Sequence, residues 1–285
     1  MKVDQISNLF DRVLDFENLY KVNSESADNQ ISYPRDAFSQ TESENQGFWA
    51  KARLVAIKRV MATNCSTQMV EVGAGGGAVC IALAEENFSI FAIEPHLTGA
   101  FAIAKCGVPV LAGFLHDAEF PDKSIPNYGA FDVLEHLLQP DEMLEEICRT
   151  LGDDGRLYLT VPVGQWLWGS LDETLGHQKR FSKTSMRKLL ENNGFIPEHE
   201  EYLFLSLVPL AWLTRALPYK LRRRQSTVGD ISDQVSPNKV VDSLTAFILK
   251  IEAKISHMIP LPYGLTLLVV AKKKSISQTS IDNEN

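Results

Sequence analysis

From residue 69 to residue 161 the chain switches repeatedly between a strand-like and a helix-like hydrophobic period, and this alternation restricts the fold more than any other feature. Met69-Val70-Glu71-Val72 is a short apolar run ending in Gly73-Ala74-Gly75-Gly76-Gly77, and a helical pattern follows through Glu85. Ser89–Ile93 is a second apolar run, a helix follows near 97–106, and Val108–Ala112 is a third strand. Tyr128–Leu134 reads as a fourth strand. Asp141–Thr150 reads as a helix opened by Pro140 with acids in its first turn, and Leu157–Val161 as a fifth strand stopped by Pro162. Ser182 is placed to cap a helix that ends at Gly194, with a sixth strand near 198–204 and a last one at Leu265–Ala271. Strands and helices alternating at this spacing predict βαβ units, hence an α/β protein with a mostly parallel sheet.

The flanks read differently. Val3, Ile6, Leu9, Phe10, Val13, Leu14 and Tyr20 recur at helical spacing, so 3–20 is expected to be an amphipathic helix. Residues 21–47 are polar and apolar-poor, which suits a lid or linker. The domain proper is expected to span 48–204 plus 261–273, with a helical insertion or cap at 205–260 and a disordered tail at 274–285. The insertion carries Lys220, Arg222, Arg223 and Arg224, then a helix marked by Val240, Val241, Leu244, Phe247, Ile248, Ile251 and Ile255.

Composition narrows the function classes. The chain is 45% hydrophobic and 22% charged, as ordinary globular domains are. Its 28 Lys and Arg against 36 Asp and Glu give a net charge of −8, a poor match for nucleic acid, which needs a basic face. Cys65, Cys80, Cys106 and Cys148 form no CxxC pair, so no disulfide framework or thiolate zinc site is expected, and no metal. Charges inside the first apolar stretch exclude a signal-peptide pattern, and no apolar run is long enough to span a bilayer; the expected compartment is the cytoplasm.

The strand, glycine turn and helix over 70–85 carry the chemistry. Gly73 permits a tight turn, Gly75 lets a ligand approach the backbone, and a small residue at 77 or 78 lets helix and strand pack closely. Ligands of open parallel sheets sit outside the carboxyl ends of the strands. Gly73, Gly75 and Ala78 also satisfy the dinucleotide pattern, and Glu94, at the end of the second strand, suits the ribose hydroxyls of any nucleoside cofactor. Glu71 discriminates: a buried carboxylate beside this turn repels a pyrophosphate and attracts an ammonium group.

Taken together, Val70-Glu71-Val72-Gly73-Ala74-Gly75-Gly76-Gly77, Glu94, the segment Phe131-Asp132-Val133-Leu134-Glu135-His136 before Pro140, and the strand running to Val161-Pro162 resemble class I, Rossmann-like S-adenosylmethionine-dependent methyltransferases of the type 11/23 group. The likeness covers roughly residues 48–272 and extends to Trp168, Asp172, His177, Arg180, Phe181 and Pro262-Tyr263-Gly264. It departs from the group where Ile125-Pro126 opens the fourth strand in place of Phe-Asp. The resemblance implies a three-layer sandwich with a seven-stranded sheet in the order 3-2-1-4-5-7-6, strand 7 antiparallel. It also implies S-adenosylmethionine as cofactor, held by Glu71, Gly73, Ala74, Gly75, Gly77, Glu94, Pro95, Leu115, Asp132 and Arg53.

For the reaction, Asp132, His136 and His177 are the candidates, with His136 as base or as substrate-orienting group. Trp168, Asp172, His177 and Arg180, on the long loop after the fifth strand, are the candidate substrate contacts, against the plainer reading of a self-braced loop. The expected acceptor is a small or amphiphilic molecule methylated at oxygen. Residues 203–224, apolar with Trp212 and then basic, suit peripheral membrane contact, or else packing on the sheet or in a homodimer. The alternatives are an NAD(P)-dependent oxidoreductase and a non-catalytic module that keeps the fold.

Overall fold

The structure is a computed structural model and describes residues 18–21, 48–64, 67–221, 245, 247–249, 251–252 and 260–274. In chain order the elements are β1 (Leu19–Lys21), α1 (Phe48–Thr63), β2 (Gln68–Val72), α2 (Ala78–Ala84), β3 (Ser89–Ile93), α3 (Leu97–Lys105) and β4 (Val110–Ala112). There follow β5 (Ile125–Phe131), α4 (Pro140–Thr150), β6 (Leu151–Pro162), α5 (Ser170–Thr174), α6 (Lys183–Asn192) and β7 (Phe195–Leu203). Last come α7 (Val208–Ala211), α8 (Leu217–Lys220) and β8 (Thr266–Lys273).

The strands form a single sheet in the order β1-β4-β3-β2-β5-β6-β8-β7. Pairings from β1 through β6 are parallel, and β8 is antiparallel to both neighbours. Apart from β1, this is the seven-strand order that the sequence implied. Two buried clusters lie on opposite faces. One contains Val70, Val72, Leu144, Ile147, Met186 and Leu190; the other contains Met69, Ile57, Met61, Leu83, Ala100 and Ile103. Helices α4 and α6 thus cover one face and α1, α2 and α3 the other, which makes three layers. Ser182 caps α6 by accepting the Ser185 N–H at 3.0 Å, and Gly194 follows the helix at φ 80°.

Two expectations need correction. Residues 18–21 do not continue a helix: Leu19–Lys21 pair in parallel with Val110–Ala112 and add an eighth, edge strand. Leu19 is buried in one core cluster and its neighbour Tyr20 in the other, the alternation of a strand and not the stripe of a helix. The rest of the predicted helix, residues 3–17, and most of the predicted lid lie outside the described residues.

The fourth strand runs over Ile125–Phe131, three residues earlier than predicted, with a register shift between Ile125 and Asn127. Pro126, which has no N–H to donate to a ladder, falls inside that irregularity. A third point concerns the insertion, whose expected helix was given no direction by the sequence. Of its second helix only 245, 247–249, 251 and 252 are described, and there Phe247, Ile248 and Ile251 are exposed while Leu249 is buried. The apolar face read from the sequence therefore points outward at these positions. The helix is held by Glu252, whose carboxylate accepts the N–H groups of Leu205 (2.9 Å) and Ser206 (2.7 Å). Arg222, Arg223 and Arg224 lie outside the described residues.

Candidate active site

Parallel strands bring their carboxyl ends to one edge, and there the chain leaves β2 at Gly73, β3 at Glu94, β4 toward Leu115 and β5 at Asp132. The glycine turn is fixed from the next strand: Ile93 carbonyl accepts from Gly73 (2.8 Å) and Ala74 (3.2 Å), and Glu94 Oε2 accepts from Gly75 at 2.7 Å. Glu94 Oε1 takes the N–H of His96 at 2.8 Å. Each carboxylate oxygen has two acceptor sites, so both remain able to take a hydroxyl proton. Gly75 adopts φ 58°, and a Cβ built there would meet nothing within 4 Å. This turn therefore lies against open space, as a cradle for a ligand must.

Behind the turn, Gly99 on α3 packs so closely that a Cβ would fall 2.3 Å from the Gly75 carbonyl oxygen. The sequence reading missed Gly99, although a glycine inside a helix is itself a signal of close approach. Gly73 and Gly77 share the positive φ of the turn, Ala74 is buried, and Pro95 is half-buried just after Glu94. Leu115 is buried in the core, while Asp117 accepts the Phe114 N–H at 2.7 Å and so shapes the turn after β4.

Glu71, two residues after Met69 in β2, shares with it the face covered by α1 and α2 and is 2% exposed. One of its oxygens, Oε2, has no hydrogen-bond partner. Burial pushes this carboxyl up to about 8, with the Arg53 guanidinium opposing and Glu94 reinforcing the shift. Glu94 rises to about 7 through burial, against the hydrogen bonds from His96 and Gly75. Arg53, on α1, forms an ion pair with Asp132, whose Oδ1 also accepts from Thr160 Oγ1 at 2.9 Å. Asp132 adopts φ 56°, a left-handed conformation uncommon for a residue with a side chain. Phe48 and Trp49 lie on the same helix as Arg53.

After Asp132 the chain makes a short turn, Leu134–His136, that buries Glu135 at 1% exposure. Burial raises the Glu135 carboxyl to about 8, against a backbone hydrogen bond and the charges of Arg53 and Arg180. His136 falls to about 3 through burial and the neighbouring His177. Their rings meet edge to face with centroids 4.8 Å apart.

The loop after β6 is clamped at its base by the Gly164–Phe181 and Phe181–Pro162 backbone bonds and tied to the β5 turn by Gln178 N–H donating to Glu135 carbonyl at 2.6 Å. Inside it Asp172, 1% exposed, accepts His177 Nδ1 at 2.8 Å, Arg180 Nε at 2.7 Å and Gly169 N–H at 2.9 Å. Burial works to raise Asp172, but the His177 hydrogen bond and the Arg180 charge outweigh it and hold the carboxyl below its usual range. All three contacts of this buried carboxylate are thus to groups of its own loop. Trp168 is half-buried beside Tyr219, and Trp166 Nε1 donates to Tyr263 Oη at 2.9 Å over the mouth of the loop.

A family model described as Methyltransferase domain matches residues 42–200, more than half of the chain, and the chain belongs to that family. Fold, family and cradle together define a class I S-adenosylmethionine-dependent methyltransferase. Among solved structures it is similar to a SAM-dependent methyltransferase from Thermotoga maritima: TM-score 0.52, 18% identity, 80% of this chain and 90% of that one. A SAM-dependent methyltransferase from Archaeoglobus fulgidus aligns with TM-score 0.52 and 16% identity over 79% and 94% of the two chains. The cyclase SpnF aligns with TM-score 0.51 and 18% identity over 81% and 85%. At these identities the likeness is one of fold. A search of curated proteins matched none.

The buried carboxyls make stability fall with pH in a defined window. At pH 6.5 an unfolded histidine is half deprotonated, so the opposing gain from His136 is already fading and is nearly complete by about pH 7.5. Between pH 6.5 and pH 8 the folded protein still holds protons on Glu71 and Glu135 that the unfolded chain has released. Each group then removes at most about 1.4 kcal/mol of stability per pH unit. Thermal melts of ligand-free protein should show the melting temperature dropping from pH 6.5 to pH 8, and Glu71→Gln should flatten the drop. A wild-type melting temperature that holds or rises across this interval contradicts the assignment.

Proposed function

We propose that this chain transfers a methyl group from S-adenosylmethionine to an oxygen of an amphiphilic acceptor. The observation that carries the cofactor half is the orphaned Oε2 of buried Glu71 beside the open turn at Gly75. A buried acceptor without a partner costs free energy, and an ammonium group offsets that cost where a diphosphate would add to it. The same carboxyl is a poor fit for the NAD(P)-dependent alternative, and a mere binding module has no use for both this cradle and Glu94.

On this reading the backbone of Gly73, Ala74, Gly75 and Gly77 meets the cofactor, and Glu71 takes the methionine ammonium. The free acceptor sites of Glu94 take the ribose hydroxyls, Pro95 and the backbone at Leu115 border the adenine, and Arg53, steadied by Asp132, faces the methionine carboxylate. S-adenosylmethionine supplies an electrophilic methyl group, so the remaining work of the chain is to hold an acceptor in line and exclude water. On the same reading the acceptor enters beside His136, on the turn after β5, and His177, on the loop after β6. A histidine pushed down to about 3 is too weak a base for neutral pH, so His136 orients the acceptor and does not deprotonate it. Asp172 and Arg180 brace the loop, and Trp168 offers an apolar wall.

The amphiphilic acceptor is supported by the insertion. Leu210, Trp212, Leu213 and Leu221 are exposed on the stretch from Val208, and Phe247, Ile248 and Ile251 are exposed on the helix that Glu252 ties to it. The segment 205–260 holds eight Lys and Arg against four Asp and Glu, in a chain of net charge −8. Apolar side chains beside a basic excess suit an anionic lipid surface from which a lipid-linked substrate would be taken. No helix among the described residues is long and apolar enough to cross a membrane.

Two measurements test these halves. Equilibrium dialysis with labelled S-adenosylmethionine should show saturable binding that Gly75→Ala weakens at least roughly tenfold, because the added methyl stands in the cradle and in a left-handed conformation; equal binding by the variant would sink the cofactor assignment. Flotation with vesicles containing anionic lipid should carry the protein upward, and Arg222→Glu, Arg223→Glu and Arg224→Glu together should abolish this. Unchanged flotation of the triple variant, or a dimer that does not float, overturns the lipid reading.

A further inference from the structure

We propose that Glu135, His136 and His177 form a binding site for a first-row divalent transition-metal ion, with open coordination positions for an oxygen of the acceptor. The sequence reading expected no metal, since the three residues belong to no ligand-spacing motif. The fold brings them together: their ligand atoms all lie within 4.8 Å of one another. Ligands about 2.1 Å from one ion and 90–110° apart around it lie about 3.0–3.4 Å from each other, so the spread closes when the two side chains of the widest pair each move by just under about 1 Å.

Three features distinguish this cluster from a chance meeting of polar groups. Glu135 is 1% exposed, and its Oε2 has no hydrogen-bond partner. The two guanidinium groups that influence it are already matched, Arg53 with Asp132 and Arg180 with Asp172. Second, His177 is bonded through Nδ1 to the buried Asp172 at 2.8 Å, which turns Nε2 outward as a lone-pair donor. Third, the His136 ring is steadied by the backbone of Gly176 and Leu175. A carboxylate or carbonyl behind each imidazole is the arrangement that orients ligating histidines in metal sites. Gln178 N–H donating to Glu135 carbonyl keeps the two contributing segments in contact.

Two imidazoles and one carboxylate select ions of the Mn²⁺ to Zn²⁺ series over Mg²⁺ and Ca²⁺, which favour all-oxygen ligands. Three protein ligands leave positions vacant, and a hydroxyl or phenolate oxygen is the class of acceptor group that fills them. The binding site stands on geometry alone; the role for the ion in holding an acceptor oxygen rests on the methyltransferase reading above.

The test uses full-length, tag-free protein dialysed against chelator and titrated with Co²⁺, Mn²⁺ or Zn²⁺ in the absence of cofactor. We expect one equivalent of ion bound, with Co²⁺ giving the visible absorption of a nitrogen–oxygen site, and Mg²⁺ binding far more weakly. Glu135→Gln, which keeps shape but replaces one ligating oxygen with an NH₂ donor, and His177→Ala should each weaken binding at least roughly tenfold, and Asp172→Asn should do so by roughly 10- to 100-fold through His177. Thermal melts of each variant show that it is folded. The proposal is overturned by wild-type protein that binds none of the three ions at millimolar concentration, or by stoichiometric binding that survives in folded Glu135→Gln and His177→Ala. Titration with S-adenosylhomocysteine without metal is run beside it: its loss strikes the cofactor reading and leaves the metal site to its own result.

Discussion

The site depends on one joint, the fastening of the glycine turn after β2 to the end of β3. Two backbone donors at Gly73 and Ala74 converge on the Ile93 carbonyl, and the Gly75 N–H is held by Glu94. These bonds fix a left-handed turn that would otherwise cost conformational freedom, and they do so with groups the strands have already placed. Gly99 allows the α3 backbone to close in behind it. The open space beside Gly75 exists because this joint holds.

Around the joint the protein has buried more acid than a stable core requires. Glu71, Glu94 and Glu135 are all nearly inaccessible, and burial shifts each toward the neutral form. Clusters of buried, displaced carboxyls are characteristic of functional sites, because desolvation is tolerated where a ligand later compensates it. Their distribution also assigns them different work. Glu94 is tied into the turn, whereas Glu71 and Glu135 each keep an oxygen without a partner, and the Arg53 charge acts on both. One suits the cofactor's cation, the other an ion beside the acceptor.

Much of this was legible in the sequence where the signal is local. The spacing of Gly73 through Gly77 announces the turn after β2, and the strand order beyond β1 followed from the family resemblance. What could not be read depends on partners distant along the chain. Leu19 and Tyr20 fit a helical stripe as well as a strand, and only pairing with Val110 and Leu111 decides between them. His136 and His177 lie on different loops and meet only because Gln178 is tied to Glu135. The burial of Asp172 and its bonds to His177 and Arg180 likewise depend on how the loop closes on itself. In the insertion, periodicity identified apolar residues at 247, 248 and 251 but could not say what covers them, and in the structure nothing among the described residues does.

The account is tested most directly by calorimetry in which the wild-type protein is offered S-adenosylhomocysteine and NADH in separate titrations at neutral pH. It predicts a saturable, one-to-one heat for the thioether nucleoside, lost in Glu71→Gln, and none for the dinucleotide. Tight binding of NADH with indifference to S-adenosylhomocysteine would contradict it, since a diphosphate would then be occupying the space beside the Glu71 carboxyl.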